Sequence, residues 1–187
     1  MRKKPVLYIL MEVKARELES RTLLALEAAS RGFSVVIGNQ SYIKPSIMLG
    51  RYPSGIYFDK SITRGKEEQL KTVVRNGYYL VSQDEEGGLL DKSYDQFLSV
   101  RSSPENVNLA TSIFCWGRHD YESWTRNYPE AKSKIYCTGS PRTDFWRSDF
   151  QEYYKKDVDD IKYRFGSLVL ISSNFAQANS HKTIEER

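Results

Sequence analysis

The chain has 187 residues, 40% hydrophobic, 28% charged and 13% aromatic. That suits one α/β domain with a remainder and excludes both a large two-domain enzyme and a disordered tail. Its 28 Lys and Arg against 24 Asp and Glu leave a net charge of +4, too small and too scattered for a nucleic-acid groove. Mean hydropathy is −0.58, and no apolar run approaches the ~20 residues of a membrane-spanning helix.

The opening Met1-Arg2-Lys3-Lys4 reads either as a solvated basic start or as a weak, peripheral contact with anionic headgroups of the inner membrane. The apolar stretch that follows stops at Glu12 without a small-residue cleavage site, so no signal peptide is expected and the compartment reads as cytoplasmic.

In chain order, Pro5–Met11 is a continuous apolar run, the pattern of a strand covered on both faces. It ends in Glu12-Val13-Lys14-Ala15-Arg16-Glu17. A helix with Leu18, Leu23, Leu26 and Ala29 on one face is expected next, stopped by Gly32 before a second strand at Ser34–Ile37. A loop carrying Pro45 and Pro53 leads to a short strand over Gly55–Phe58. A helix over Arg64–Asn76 is closed by Gly77, and Tyr78–Ser82 is the fourth strand.

An acidic loop and a short helix near Tyr94–Val100 precede a fifth strand, Thr111–Trp116. A helix over Arg118–Asn127 and a sixth strand, Lys134–Thr138, follow. Cys115 and Cys137 each fall inside an apolar strand run, where buried thiols are expected rather than a disulfide or a metal site. Strands alternating with helices, on crossovers long enough for parallel pairing, predict a doubly wound parallel α/β sheet. A bridging helix is expected over residues 145–166, then an apolar strand at Ser167–Ser172 and a polar tail. Because the 167–187 segment starts with a strand that lacks its own sheet, it is expected either to add to another surface or to promote self-association.

Ligands of open parallel sheets bind beyond the carboxyl ends of the strands, and the chemically informative residues fall there. The first strand delivers Glu12, Arg16 and Glu17, and the fourth delivers Asp84-Glu85-Glu86-Gly87-Gly88. The fifth delivers Arg118-His119-Asp120, and the sixth Gly139-Ser140-Pro141-Arg142-Thr143-Asp144.

Three adjacent carboxylates raise one another's pKa and suit a general base or a nucleophile; the alternative is a solvated acidic loop that caps the next helix. His119 is either an acid–base group or an exposed residue at a helix start. Arg142 binds a carboxylate or phosphate, or pairs with Asp144 or Asp149. Glycine-rich dinucleotide and P-loop motifs are absent, as are a Gly-x-Ser-x-Gly elbow and paired cysteines, which disfavours dehydrogenases, P-loop NTPases, α/β-hydrolases and structural zinc.

Five stretches together carry a resemblance: LYILMEVKARELESRTLLALEAASRGFSVVIG, QDEEGG, IFCWGRHD, IYCTGSPRTD and LISSNFAQAN. The chain resembles bacterial surface-carbohydrate biosynthesis proteins with a GT-B glycosyltransferase fold, over nearly all its length. The GSPRTD turn alone is similar to one in CDP-glycerol glycerophosphotransferases. The resemblance implies a Rossmann-like acceptor domain over residues 1–144, a linker helix over 145–166, and the start of an incomplete donor domain over 167–187.

It further implies a nucleotide sugar and a glycan acceptor as partners, with a CMP-activated ulosonic acid as one donor, and neither metal nor cofactor. Asp84, Glu85, Glu86 and His119 are the catalytic candidates. Glu12, Arg16, Glu17, Gly87, Gly88, Arg142, Asp144 and Asn174 are the substrate-binding ones. The chain alone is expected to be inactive, because donor contacts would come from a second domain. The alternatives are a non-catalytic domain that binds a carbohydrate, lipid-linked glycan or protein partner, and a fragment of a CDP-glycerol-type phosphotransferase.

Overall fold

A computed structural model describes residues 4–87 and 94–171, and the chain forms two compact units, 1–147 and 148–187. The first unit is an open α/β sheet. Its strands are β1 (Val6–Met11), β2 (Ser34–Asn39), β3 (Ile56–Asp59), β4 (Tyr79–Ser82), β5 (Ser112–Cys115) and β6 (Ile135–Cys137). The helices are α1 (Lys14–Ser30), α2 (Gln40–Met48), α3 (Glu67–Arg75), α4 (Tyr94–Arg101), α5 (Pro104–Leu109), α6 (Arg118–Asn127) and the short α7 (Pro141–Asp144). All pairings are parallel, in the order β2-β1-β3-β4-β5-β6. The expected parallel α/β class is thus what the described residues form.

Strand side chains alternate between two cores, as the two-residue period demands. Leu7 and Ile9 of β1, with Phe58 and Val81, pack against Leu24, Ala25 and Ala28 of α1. Tyr8 and Leu10, with Tyr57, Leu80, Ile113, Cys115 and Ile135, face the other way, in a cluster with Ile43, Ile47, Leu70, Val73, Val107 and Trp124. Two of the buried tyrosines there donate to backbone carbonyls, the Tyr8 hydroxyl to Pro53 O at 2.7 Å and that of Tyr78 to Tyr52 O at 2.7 Å. Each fully buried large apolar side chain contributes roughly 1.5–3 kcal/mol. The chain passes from β1 outward to β2 and then crosses back past β1 to β3, from where it continues in the opposite direction, so the switch point lies between β1 and β3.

Several local expectations are corrected. The segment around Pro45, expected as a loop, is α2, with Pro45 inside it. The Asn39 side chain accepts from Ser41 N (2.8 Å) at its start, and Asn76 Nδ2 donates to the Ile47 and Met48 carbonyls (3.0 and 2.9 Å) at its end, while Ile43 and Ile47 are buried. Caps and two buried anchors outweigh one lost hydrogen bond.

The buried face of α1 is not the expected leucine stripe. Glu17, Ser20, Arg21 and Ala28 are buried, and Leu26 is 65% exposed. A helix that follows a parallel strand runs back along it, so its first turns lie at the polar carboxyl edge and only its later turns cover apolar sheet.

Cys137 is exposed, not buried, because β6 is an edge strand; Cys115 is buried as expected. The second unit holds a 3₁₀ segment, Ser148–Tyr154, and α8 (Lys155–Phe165), in place of one helix over 145–166. Ser167–Ile171 pairs with no strand among the described residues. Among those residues no helix is long and apolar enough to cross a membrane.

Candidate functional site

Because every strand is parallel, all carboxyl ends meet at one edge, and the loop after β4 is the centre of what gathers there. Its backbone is pinned: Glu85 N donates to Lys60 O (3.0 Å), and Trp116 Nε1 donates to Asp84 O (2.6 Å). The Trp116 indole lies so close that a Cβ on Gly87 would stand 2.4 Å from its Cδ1, so only glycine fits there. Gly139, after β6, takes a φ of +82°, which turns the chain into Ser140 and Arg142. Gln83 Nε2 ties the two loops together by donating to Gly139 O (2.6 Å).

Each carboxylate of the loop faces an arginine. Asp84 accepts a fork from Arg101, 2.6 Å from Nε and 2.9 Å from Nη2, while Arg101 Nη1 lies 3.0 Å from Glu86. Glu85, 12% exposed, pairs with Arg21 of α1, which is 3% exposed and lies 5.0 Å from the centre of the Phe58 ring. Arg142 Nη1 donates to Glu85 O (3.1 Å) and stands 3.5 Å from Oε2 of the same residue. Burial holds the Arg21 guanidinium below its ordinary pKa, and the facing Glu85 opposes that shift. The expectation of mutually repelling carboxylates is therefore corrected: bidentate and buried cations offset their repulsion. Asp84 and Glu85 are held by their arginines rather than presented to a hydroxyl group, and only Glu86, 60% exposed, remains accessible.

A cavity of about 500 Å3 opens over this loop, lined by Glu85, Glu86, Gly87, Trp116, Arg142, Thr143 and Trp146. Trp146 is 81% exposed. The Arg142 guanidinium lies 5.8 Å from the Trp116 ring centre. A second cavity of about 260 Å3, lined by Leu24, Phe58, Gln83, Phe114, Thr138, Gly139, Ser140, Pro141 and Asp144, places Asp144 at a neighbouring position. Arg142 meets the Glu85 carboxylate.

At the switch point, Glu17 is fully buried; its carboxylate accepts from Glu12 N (2.8 Å) and from Arg16 Nη2 (2.7 Å), fastening the start of α1. Glu12 pairs with Lys60, whose ammonium pKa burial lowers. These three glutamate and arginine residues thus share the edge with the cavity but are engaged with one another and with Lys60.

His119 stands apart from the cavity lining. Its ring lies 5.9 Å from that of Tyr94, and its Nε2 is buried without a partner among the described residues. Beside it, Asp120 accepts from the Tyr94 hydroxyl (2.5 Å) and from Trp116 N (2.9 Å). Gly88 and Asn174 lie outside the described residues. Among those residues, no group of three or more His, Cys, Asp or Glu side chains is placed to hold a metal ion.

The sequence reading missed Arg21, Lys60, Arg101, Trp116 and Trp146. Arg21 had a usable signal, since it follows Glu17 by four residues and shares its helical face. Arg101 had none, because its partner is seventeen residues away across the loop. A comparison with models of known protein families finds no match, and neither does a comparison with curated proteins.

Proposed function

We propose that this chain is the acceptor-side half of a GT-B-type glycosyltransferase of bacterial surface-polysaccharide biosynthesis, and that the cavity over the β4 loop receives the glycan acceptor. The observation that carries the reading is the chemistry of that cavity. An indole exposed at its mouth, a second indole in its wall, two carboxylates and an arginine suit a polyol, whose C–H face stacks on aromatic rings while its hydroxyl groups meet charged acceptors and donors.

The position beyond the carboxyl ends of a parallel sheet supports the same reading. Glu86 is the carboxylate available to take the acceptor's proton. A nucleotide sugar, a CMP-activated ulosonic acid among the candidates, would be supplied by a second Rossmann-like domain. On this reading the chain by itself binds glycan without turning it over, is cytoplasmic, and meets the inner membrane only peripherally.

A second reading, a binding module without catalysis, is favoured by one observation: Asp84 and Glu85 are both committed to arginines. A CDP-glycerol-type phosphotransferase fragment would share the acceptor position and differ in its donor. The test is NMR of the 15N-labelled chain titrated with oligosaccharides released from bacterial capsules. Saturable shifts at the Trp116 and Trp146 indole N–H signals are expected, and shifts at neither would refute the assignment of this cavity. Release of nucleotide from a panel of nucleotide sugars by the longest natural form of the protein, with the oligosaccharide present, separates transferase from binding module.

A further inference from the structure

We infer that the sugar this cavity takes is uncharged. The inference rests on the glycan-binding reading and specifies which sugars satisfy it. The charges around the cavity are matched within the protein. Arg142 and Arg21 both face Glu85, Arg101 faces Asp84 and Glu86, and Lys60 faces Glu12. An anionic group seeking Arg142 would have to share it with the Glu85 carboxylate, which stands 3.5 Å from Nη1. It would then lie beside Glu85 and Glu86 in a cavity whose walls otherwise include two indoles. Like charges at such a separation, partly shielded from water, oppose binding.

A cationic group meets the converse obstacle, since Arg142 lines the same wall and its guanidinium faces the Trp116 ring where a cation would otherwise stack. A neutral pyranose meets neither cost. Its hydroxyl groups accept from Arg142 and donate to Glu86 without disturbing the ion pairs, and its apolar face covers the Trp146 indole. Glu86 is the specificity-determining residue on this account, because among the carboxylates at the cavity it is the one with most of its side chain open to solvent.

The inference is tested on the full chain by NMR titration with the methyl glycosides of glucose, galactose, mannose and N-acetylglucosamine. The charged counterparts are the methyl glycosides of glucuronic and galacturonic acid, glucose 6-phosphate and methyl glucosaminide. At least one neutral glycoside is expected to bind about tenfold more tightly than its charged counterparts. Trp146→Ala should abolish that binding, and Glu86→Gln should narrow the preference over the uronic acids several-fold. Equal or tighter binding of a charged sugar would overturn the inference and leave the glycan-binding reading standing. Absence of binding by every sugar, charged or neutral, would overturn both.

Discussion

Arg21 is the residue on which most of the site's order depends, since it is nearly inaccessible and supports Glu85 from beneath. Removing one partner of a buried ion pair leaves an uncompensated charge, so Arg21→Met is expected to destabilise the fold by about 3–5 kcal/mol. Glu85→Gln on top of Arg21→Met should recover a large part of that loss, because no buried charge then remains at the pair. Urea denaturation of the two single variants and the double variant measures the coupling. A double variant as unstable as Arg21→Met would instead assign the cost to lost packing on Phe58.

Asp120 sets a pH dependence. Burial raises its carboxyl above the ordinary value, against the lowering effect of the Tyr94 and Trp116 donors. A group raised in the folded state takes up its proton there first. Its contribution to stability is complete below the ordinary value of 3.8 and is lost as pH rises through the folded value. As pH falls from neutral toward that value, the parent chain should therefore gain on Asp120→Asn, by at most about 1.4 kcal/mol per pH unit. Urea transitions at a series of pH values check this, and parallel pH profiles would count against it.

Among the elements, α2 shows how local signals compete. A proline at position 45 reads as a break, yet Asn39 caps the helix and Asn76 closes it from α3's far end. Asn39→Ala should cost about 1 kcal/mol, read as a shift of the urea midpoint without a change in slope. A loss near zero would mean that burial of Ile43 and Ile47 alone holds the helix. The helix α1 carries the opposite lesson. Its regular leucines predicted an apolar face, but its first turns meet the polar edge, so Glu17 and Arg21 are buried where leucines were expected and Leu26 is left to solvent.

In the molecule as a whole, every buried residue among those described lies between Leu7 and Ser140. A chain ending at Arg147 is therefore expected to fold, with stability within about 1 kcal/mol of the parent, since none of the described residues removed beyond it is buried. Circular dichroism and urea unfolding of that shorter chain provide the check. A molten, non-cooperative transition would show that the 148–187 unit completes the core.

By itself the sequence determined the six strands of the sheet and most of the helices, though not the fate of the apolar run at Ser167–Ile171. An apolar run such as Val6–Met11 and the stop at Gly77 are set by local periodicity and backbone freedom, and those act over a few residues. It also placed Glu85, Glu86 and Arg142 at strand ends, hence at one edge once the sheet is parallel. Only the tertiary structure decided which charges pair. Arg21 reaches Glu85 across 64 residues, and Arg142 reaches it across 57. Such pairings depend on strand order and on which turn of α1 lies over which strand end. Ion pairing between distant segments has no periodicity along a chain, so the same three acidic residues that read as a repelling triad are, in space, a loop clamped by three arginines.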